Sequence, residues 1–160
     1  MLNADYKEML HILTEEGVRF IVVGAYALGV HGFPRATGDM DIWVEPSPSN
    51  AEKLIQSLTR FGAPLSDVKK GDFTTKGIVF QIGVAPRRID ILTAIDGVEF
   101  DPAYENRLVV VLEALAIPVL SLEDLIKNKE STGREKDALD AKLLRKRSSI
   151  PNPPVSVPVK

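Results

Sequence analysis

A chain of 160 residues, 44% hydrophobic and 26% charged, has the length and balance of one compact domain, which excludes general disorder and a fibrous architecture. Its net charge of −2 excludes a broad basic surface, so any nucleic-acid contact must come from local clusters of Lys and Arg. The absence of cysteine excludes disulfide staples and thiolate metal sites and suits a reducing compartment, so the cytoplasm is expected.

Met1-Leu2-Asn3-Ala4-Asp5 lacks the basic and apolar blocks of a signal peptide, and no apolar run reaches bilayer length, so no membrane partner is expected. Tyr6, Met9, Leu10 and Leu13 then recur at helical spacing between a candidate N-cap, Asn3, and a stop at Gly17. Arg19 to Val23 is a β-branched run that ends at Gly24 and feeds a short helix through Ala25-Tyr26-Ala27-Leu28. After the loop Gly32-Phe33-Pro34, Asp39 to Val44 alternates as a half-buried strand. Ala51, Leu54, Ile55, Leu58 and Phe61 mark an amphipathic helix from Ser49, closed by Gly62.

Two strands are expected at Ile78 to Gly83 and Arg88 to Thr93, around a turn at Ala85-Pro86, and Asp96-Gly97 signals another turn. Leu108 to Leu112 and Ile117 to Leu120 have strand character, and Ser121-Leu122-Glu123-Asp124 opens a helix through Lys129. A last helix, Arg134 to about Arg147, should bury Leu139, Leu143 and Ala138. The expected fold class is α/β (α+β): a mixed, twisted sheet of about five strands flanked by helices, over residues 1–148, followed by a Pro-rich extended tail, 149–160.

Side chains in a strand alternate, so Asp39 and Asp41 share one face while Met40, Ile42 and Val44 point to the other. The strand rise puts the two carboxylates roughly 6–7 Å apart, and their repulsion is on the order of 2–3 kcal/mol at an effective dielectric of ~20. Either a cation or hydration must offset it. Mg²⁺ would, since it favours carboxylate and phosphate oxygens; Arg35, Arg87 or Arg88 could do the same as salt-bridge partners. A third acid, Asp90, interrupts the apolar strand Arg88-Ile89-Asp90-Ile91-Leu92, where solvation is a poorer explanation. Gly24, at a strand-to-helix turn, would let a phosphate approach the first free amides of the helix.

Val23-Gly24-Ala25-Tyr26-Ala27-Leu28, then Arg35 to Val44 with its Asp39-Met40-Asp41, then Arg88 to Leu92, resemble the DNA polymerase beta-like nucleotidyltransferase superfamily. The nearest likeness is to its small prokaryotic branch of minimal and antitoxin-related members. Lys127-Asn128-Lys129 through Gly133-Arg134-Glu135-Lys136-Asp137 resembles the C-terminal helical element of that branch. The resemblance implies a nucleotidyltransferase fold in which Asp39, Asp41 and Asp90 are catalytic and hold two Mg²⁺ ions, with Mn²⁺ a substitute. It also implies a nucleoside triphosphate as donor. Gly24, Ala25, Arg35, Thr37, Lys129 and Arg134 are the nucleotide-binding candidates, with Thr37 orienting the carboxylate strand. Where the family has Gly-Gly or Gly-Ser this chain has Gly24-Ala25, so a serine hydroxyl is missing and backbone donors remain.

The acceptor stays open among an RNA end, a protein hydroxyl and a small molecule. Dimerisation through the apolar run Val109 to Leu112, or a partner protein, could complete the cleft. A weakly catalytic or inactive antitoxin-like regulatory module is the alternative function, and a nucleic-acid adaptor using Lys142, Arg145, Lys146 and Arg147 a third. Trp43 shares a face with both aspartates and suits either base stacking or, in preference, the core. His11 and His31 have no ligand spacing and are given no zinc role.

Overall fold

The computed structural model describes residues 2–148. The Pro-rich tail expected at 149–160 lies outside them. The chain runs α1 (Ala4–Glu15), β1 (Phe20–Val23), α2 (Gly24–Val30), β2 (Asp39–Val44), α3 (Pro48–Phe61), a single 3-10 turn (Asp72–Thr74), β3 (Val79–Ile82) and β4 (Arg88–Leu92). It continues through α4 (Phe100–Glu105), β5 (Leu108–Leu112), β6 (Leu115–Val119), α5 (Leu122–Ser131) and α6 (Glu135–Ser148).

The strands form one sheet in the order β3-β4-β2-β1-β6-β5, so there are six rather than about five. The class is as expected, a mixed sheet flanked by helices. β2 lies at its centre, antiparallel to β1 and parallel to β4, while the edges are built by antiparallel neighbours: β3 on β4, and β5 on β6. Parallel pairing needs a crossover, and here the long segment from α3 to β3 carries the chain from β2 round to β4.

Local chemistry starts and stops the helices as read. Asn3 caps α1 by accepting from the Tyr6 amide at 2.9 Å. Ser47 caps α3 ahead of Pro48 and Gly62 ends it in the left-handed region. Asn50, buried at the start of α3, accepts from the Arg19 amide (2.7 Å) and donates to the carbonyls of Arg19 and Glu45 (3.1 and 3.0 Å). That one side chain ties α3 to the ends of β1 and β2. Ile21, Ile42, Val44, Leu54, Leu58, Ile89 and Ile91 belong to a continuous core with Met9, Leu10 and Leu13 of α1.

The helices depart from expectation at three points. The last helix does not bury Leu139, Leu143 and Ala138: all are exposed, Leu139 at 58% and Leu143 at 45%. Its inner stripe is Asp137, Asp140, Ala141 and Leu144, because the two acids turn inward to meet Lys129, whose side chain is 14% exposed. α5 runs two residues past Lys129, and α4 follows the Asp96-Gly97 turn where no helix was expected. Trp43 is buried, edge-on to Phe100 with ring centroids 5.1 Å apart, which leaves the core role and removes base stacking. None of the described helices is long and apolar enough to cross a membrane.

Candidate active site

The register of the two central parallel strands sets Asp39 beside Arg88 and Asp41 beside Asp90. One ligand oxygen from each of Asp39, Asp41 and Asp90 lies within 4.8 Å of the others. The sheet therefore brings the three acids together from neighbouring strands on one face. Asp90 is buried, whereas Asp39 and Asp41 are half-buried.

The acids are not equivalent. The Thr37 hydroxyl donates to Asp39 Oδ1 at 2.8 Å. Arg88 donates from Nε to Asp90 Oδ1 (2.9 Å) and from Nη2 to Asp90 Oδ2 (3.1 Å) and Asp39 Oδ2 (2.9 Å). Burial would raise the pKa of Asp39, but the Thr37 hydrogen bond and the Arg88 guanidinium outweigh it and hold the group below its ordinary value. Asp41 is pushed up to about 7, first by burial and then by the neighbouring charges of Asp39 and Asp90. Negative charge is crowded here, and Asp41 bears the consequence.

Gly24 closes the other side. β1 pairs Val23 with Asp41, and the chain turns into α2 at the next residue with φ +69°. A Cβ at position 24 would overlap Oδ2 of Asp41. Glycine is needed there for the backbone angle and for the close approach alike.

A second cluster joins α5, α6 and the loop before β2. Lys129 Nζ lies 3.2 Å from Asp137 Oδ1 and 3.2 Å from Asp140 Oδ2. Arg35 grips Asp140 with both guanidinium nitrogens (3.2 and 2.9 Å), Thr132 donates to Asp137 at 2.7 Å, and Arg134 reaches Asp137 at 2.9 Å. Burial raises both acids' pKa values, but these partners overcome it and both fall below the ordinary value. A cleft of ≈ 190 Å³ opens beside the cluster, lined by Ala25, Leu28, Arg35, Lys129, Arg134, Lys136 and Asp137. A larger groove of ≈ 580 Å³, between α3 and residues 68–74, contains none of these side chains. Convergent charge, rather than size, marks the site.

Of the residues read from sequence, Asp39, Asp41, Asp90, Gly24 and Thr37 meet at the acids, whereas Ala25, Arg35, Lys129 and Arg134 meet at the cationic cleft. Sequence reasoning missed Asp140, which anchors both Arg35 and Lys129, and saw Arg88 only as one of three cations able to match the acids. Both carry a signal: Arg88 is two residues before Asp90 on one strand, and Asp137 and Asp140 sit three apart on one helix.

Comparison with solved structures finds the same fold at low identity. The candidate nucleotidyltransferase TM1012 from Thermotoga maritima aligns with a TM-score of 0.57 at 20% identity over 91% of this chain and 94% of that one. The lincosamide antibiotic adenylyltransferase LnuA, solved with lincomycin bound, aligns with a TM-score of 0.53 at 16% identity, covering 91% and 97%. ANT(2")-Ia, in complex with adenylyl-2"-tobramycin, aligns with a TM-score of 0.51 at 14% identity, covering 90% and 97%. No protein of curated function matches the sequence. A family model described as "Nucleotidyltransferase of unknown function (DUF6036)" matches residues 1–151, and the chain belongs to that family.

Proposed function

We propose that the protein transfers a nucleotidyl group from a nucleoside triphosphate to an acceptor hydroxyl, with Mg²⁺ ions held by Asp39, Asp41 and Asp90. The observation that carries this reading is the convergence of three carboxylate oxygens within 4.8 Å. The donor set fits the metal: it is all oxygen, as Mg²⁺ or Mn²⁺ prefers, and Asp41, raised first by burial and then by the charges of Asp39 and Asp90, sits where a cation would offset both. Asp39 and Asp41 would hold two ions and Asp90 one of them. Bound there, a divalent ion supplies stabilisation of charge on the attacking and departing oxygens.

The chain's own groups do the rest. Backbone amides at Gly24 and Ala25, with Arg35, Lys129 and Arg134, hold and neutralise the triphosphate. Ala25 lines the cleft and brings no hydroxyl, so orientation there falls to the backbone. The acceptor oxygen bonds to the α-phosphorus, the bond from that phosphorus to the bridging oxygen breaks, and pyrophosphate leaves with the electron pair. The hydroxyl proton passes to the Asp90 carboxylate. In the adenylylated tobramycin of ANT(2")-Ia and the lincomycin of LnuA the solved relatives carry antibiotic ligands, which supports a small hydroxyl-bearing acceptor here.

Titration calorimetry with Mg²⁺ and a nucleoside triphosphate tests the reading. The wild type should bind, and Asp39→Asn combined with Asp41→Asn should abolish binding. Affinity unchanged by the double substitution would count against it.

A further inference from the structure

Asp39, Arg88, Asp41 and Asp90 occupy the four corners of a square on one sheet face, since β2 and β4 pair the first with the second and the third with the fourth. Three corners are acidic and one is basic. The Arg88 fork accounts for both oxygens of Asp90 and one of Asp39, and the Thr37 hydroxyl accounts for the other oxygen of Asp39. Four of the six carboxylate oxygens thus already accept a hydrogen bond from a neighbouring side chain.

These are the oxygens that a cation would use. A guanidinium and a divalent ion drawing on the same carboxylates repel each other and compete for the same lone pairs. Asp90 is the most fully engaged of the three, since both of its oxygens accept from Arg88. Arg88 has room to withdraw, its side chain being 35% exposed.

We propose that Arg88 is the resident counter-ion of the acid triad, and that its guanidinium yields to an incoming divalent cation and so sets the cation concentration at which the site fills. This rests on the reading of the triad as a metal site. It differs from a purely positioning role, in which Arg88 would hold the carboxylates ready and help the ion to bind. Competition predicts that removing Arg88 tightens cation binding; positioning predicts that it weakens.

The experiment is Mn²⁺ binding to the full chain without nucleotide, followed by the electron paramagnetic resonance of the free ion, in wild type, Arg88→Gln, Arg88→Lys and Asp41→Asn. Arg88→Gln should bind Mn²⁺ roughly tenfold more tightly than wild type. Arg88→Lys should fall between, keeping the charge but losing the fork, and Asp41→Asn should bind weakly. In chelator, Arg88→Gln should also melt below wild type, and Mn²⁺ should raise its melting temperature by more. Equal or weaker binding by Arg88→Gln, with wild-type binding intact, overturns the inference and leaves the metal site standing. Absence of Mn²⁺ binding in wild type and Arg88→Gln alike overturns both. Should Arg88→Gln fail to fold, Arg88→Lys decides: tighter binding than wild type supports the competition, and equal or weaker binding overturns it.

Discussion

Gly24 packs so closely on Asp41 that a side chain at position 24 would occupy the space of the Asp41 carboxylate. At φ +69° the same position also resists any residue with a Cβ. Gly24→Ala should therefore cost about 1–3 kcal/mol of stability from backbone strain. It should also displace Asp41 and abolish Mg²⁺-dependent triphosphate binding. Urea denaturation and calorimetry on the same preparation check the two effects together.

Proton binding at Asp41 should be visible in the cation affinity. Its folded pKa, about 7, exceeds the ordinary value of 3.8, so at acidic pH an ion must displace a proton to bind. Affinity for Mg²⁺ should rise from pH 6 to pH 8 and level off above, the change per unit below the pKa being about tenfold. The stability linkage has the matching sign. Between 3.8 and about 7 the unfolded chain has lost this proton while the folded one keeps it, so the metal-free protein loses stability on Asp41's account as pH rises through that window. Asp41→Asn should remove that loss, as thermal melts in chelator from pH 4 to 8 will show.

The cationic cleft separates affinity from stability. Arg134 is 76% exposed, and its pair with Asp137 is screened by water. Arg134→Met should leave unfolding free energy within about 0.5 kcal/mol of wild type and lower triphosphate affinity several-fold. Asp140 is buried between Arg35 and Lys129, so Asp140→Asn should destabilise by about 2–4 kcal/mol. Denaturation curves for the two variants, beside triphosphate titrations, measure the contrast.

On α6 the outward and inward leucines should behave differently. Leu139→Gln with Leu143→Gln should change stability by less than about 1 kcal/mol, since both are exposed. Leu144→Ala should cost about 2–5 kcal/mol, because Leu144 is fully buried. Chemical denaturation distinguishes them.

Much of the fold was legible because the signals were local. Asn3, Gly62 and the alternation of Asp39 to Val44 each act within a few residues, and structure follows them at those positions. α6 was misread because a periodic rule counts leucines and cannot see that Lys129, on the preceding helix, pairs with both Asp137 and Asp140 while Arg35, more than a hundred residues away in sequence, grips Asp140. At the site, the grouping of Asp39 with Asp41 follows from strand period alone. The arrival of Asp90 beside Asp41, and of Arg88 beside Asp39, depends on the register between two strands separated by more than forty residues, which no local pattern encodes. The i,i+3 spacing of Asp137 and Asp140 was the sole local hint of a site on α6, and on a helix with many charges it does not single them out.

The most direct measurement follows the fate of the triphosphate. Wild-type protein and Asp41→Asn are incubated with Mg²⁺, cell extract as a source of acceptors, and triphosphate labelled in either the α- or the γ-phosphate. The account predicts that wild type places the α-label on an acceptor of correspondingly increased mass and releases the γ-label as pyrophosphate, and that Asp41→Asn does neither. Transfer of the γ-label to the acceptor, or equal α-label transfer by Asp41→Asn, would contradict it.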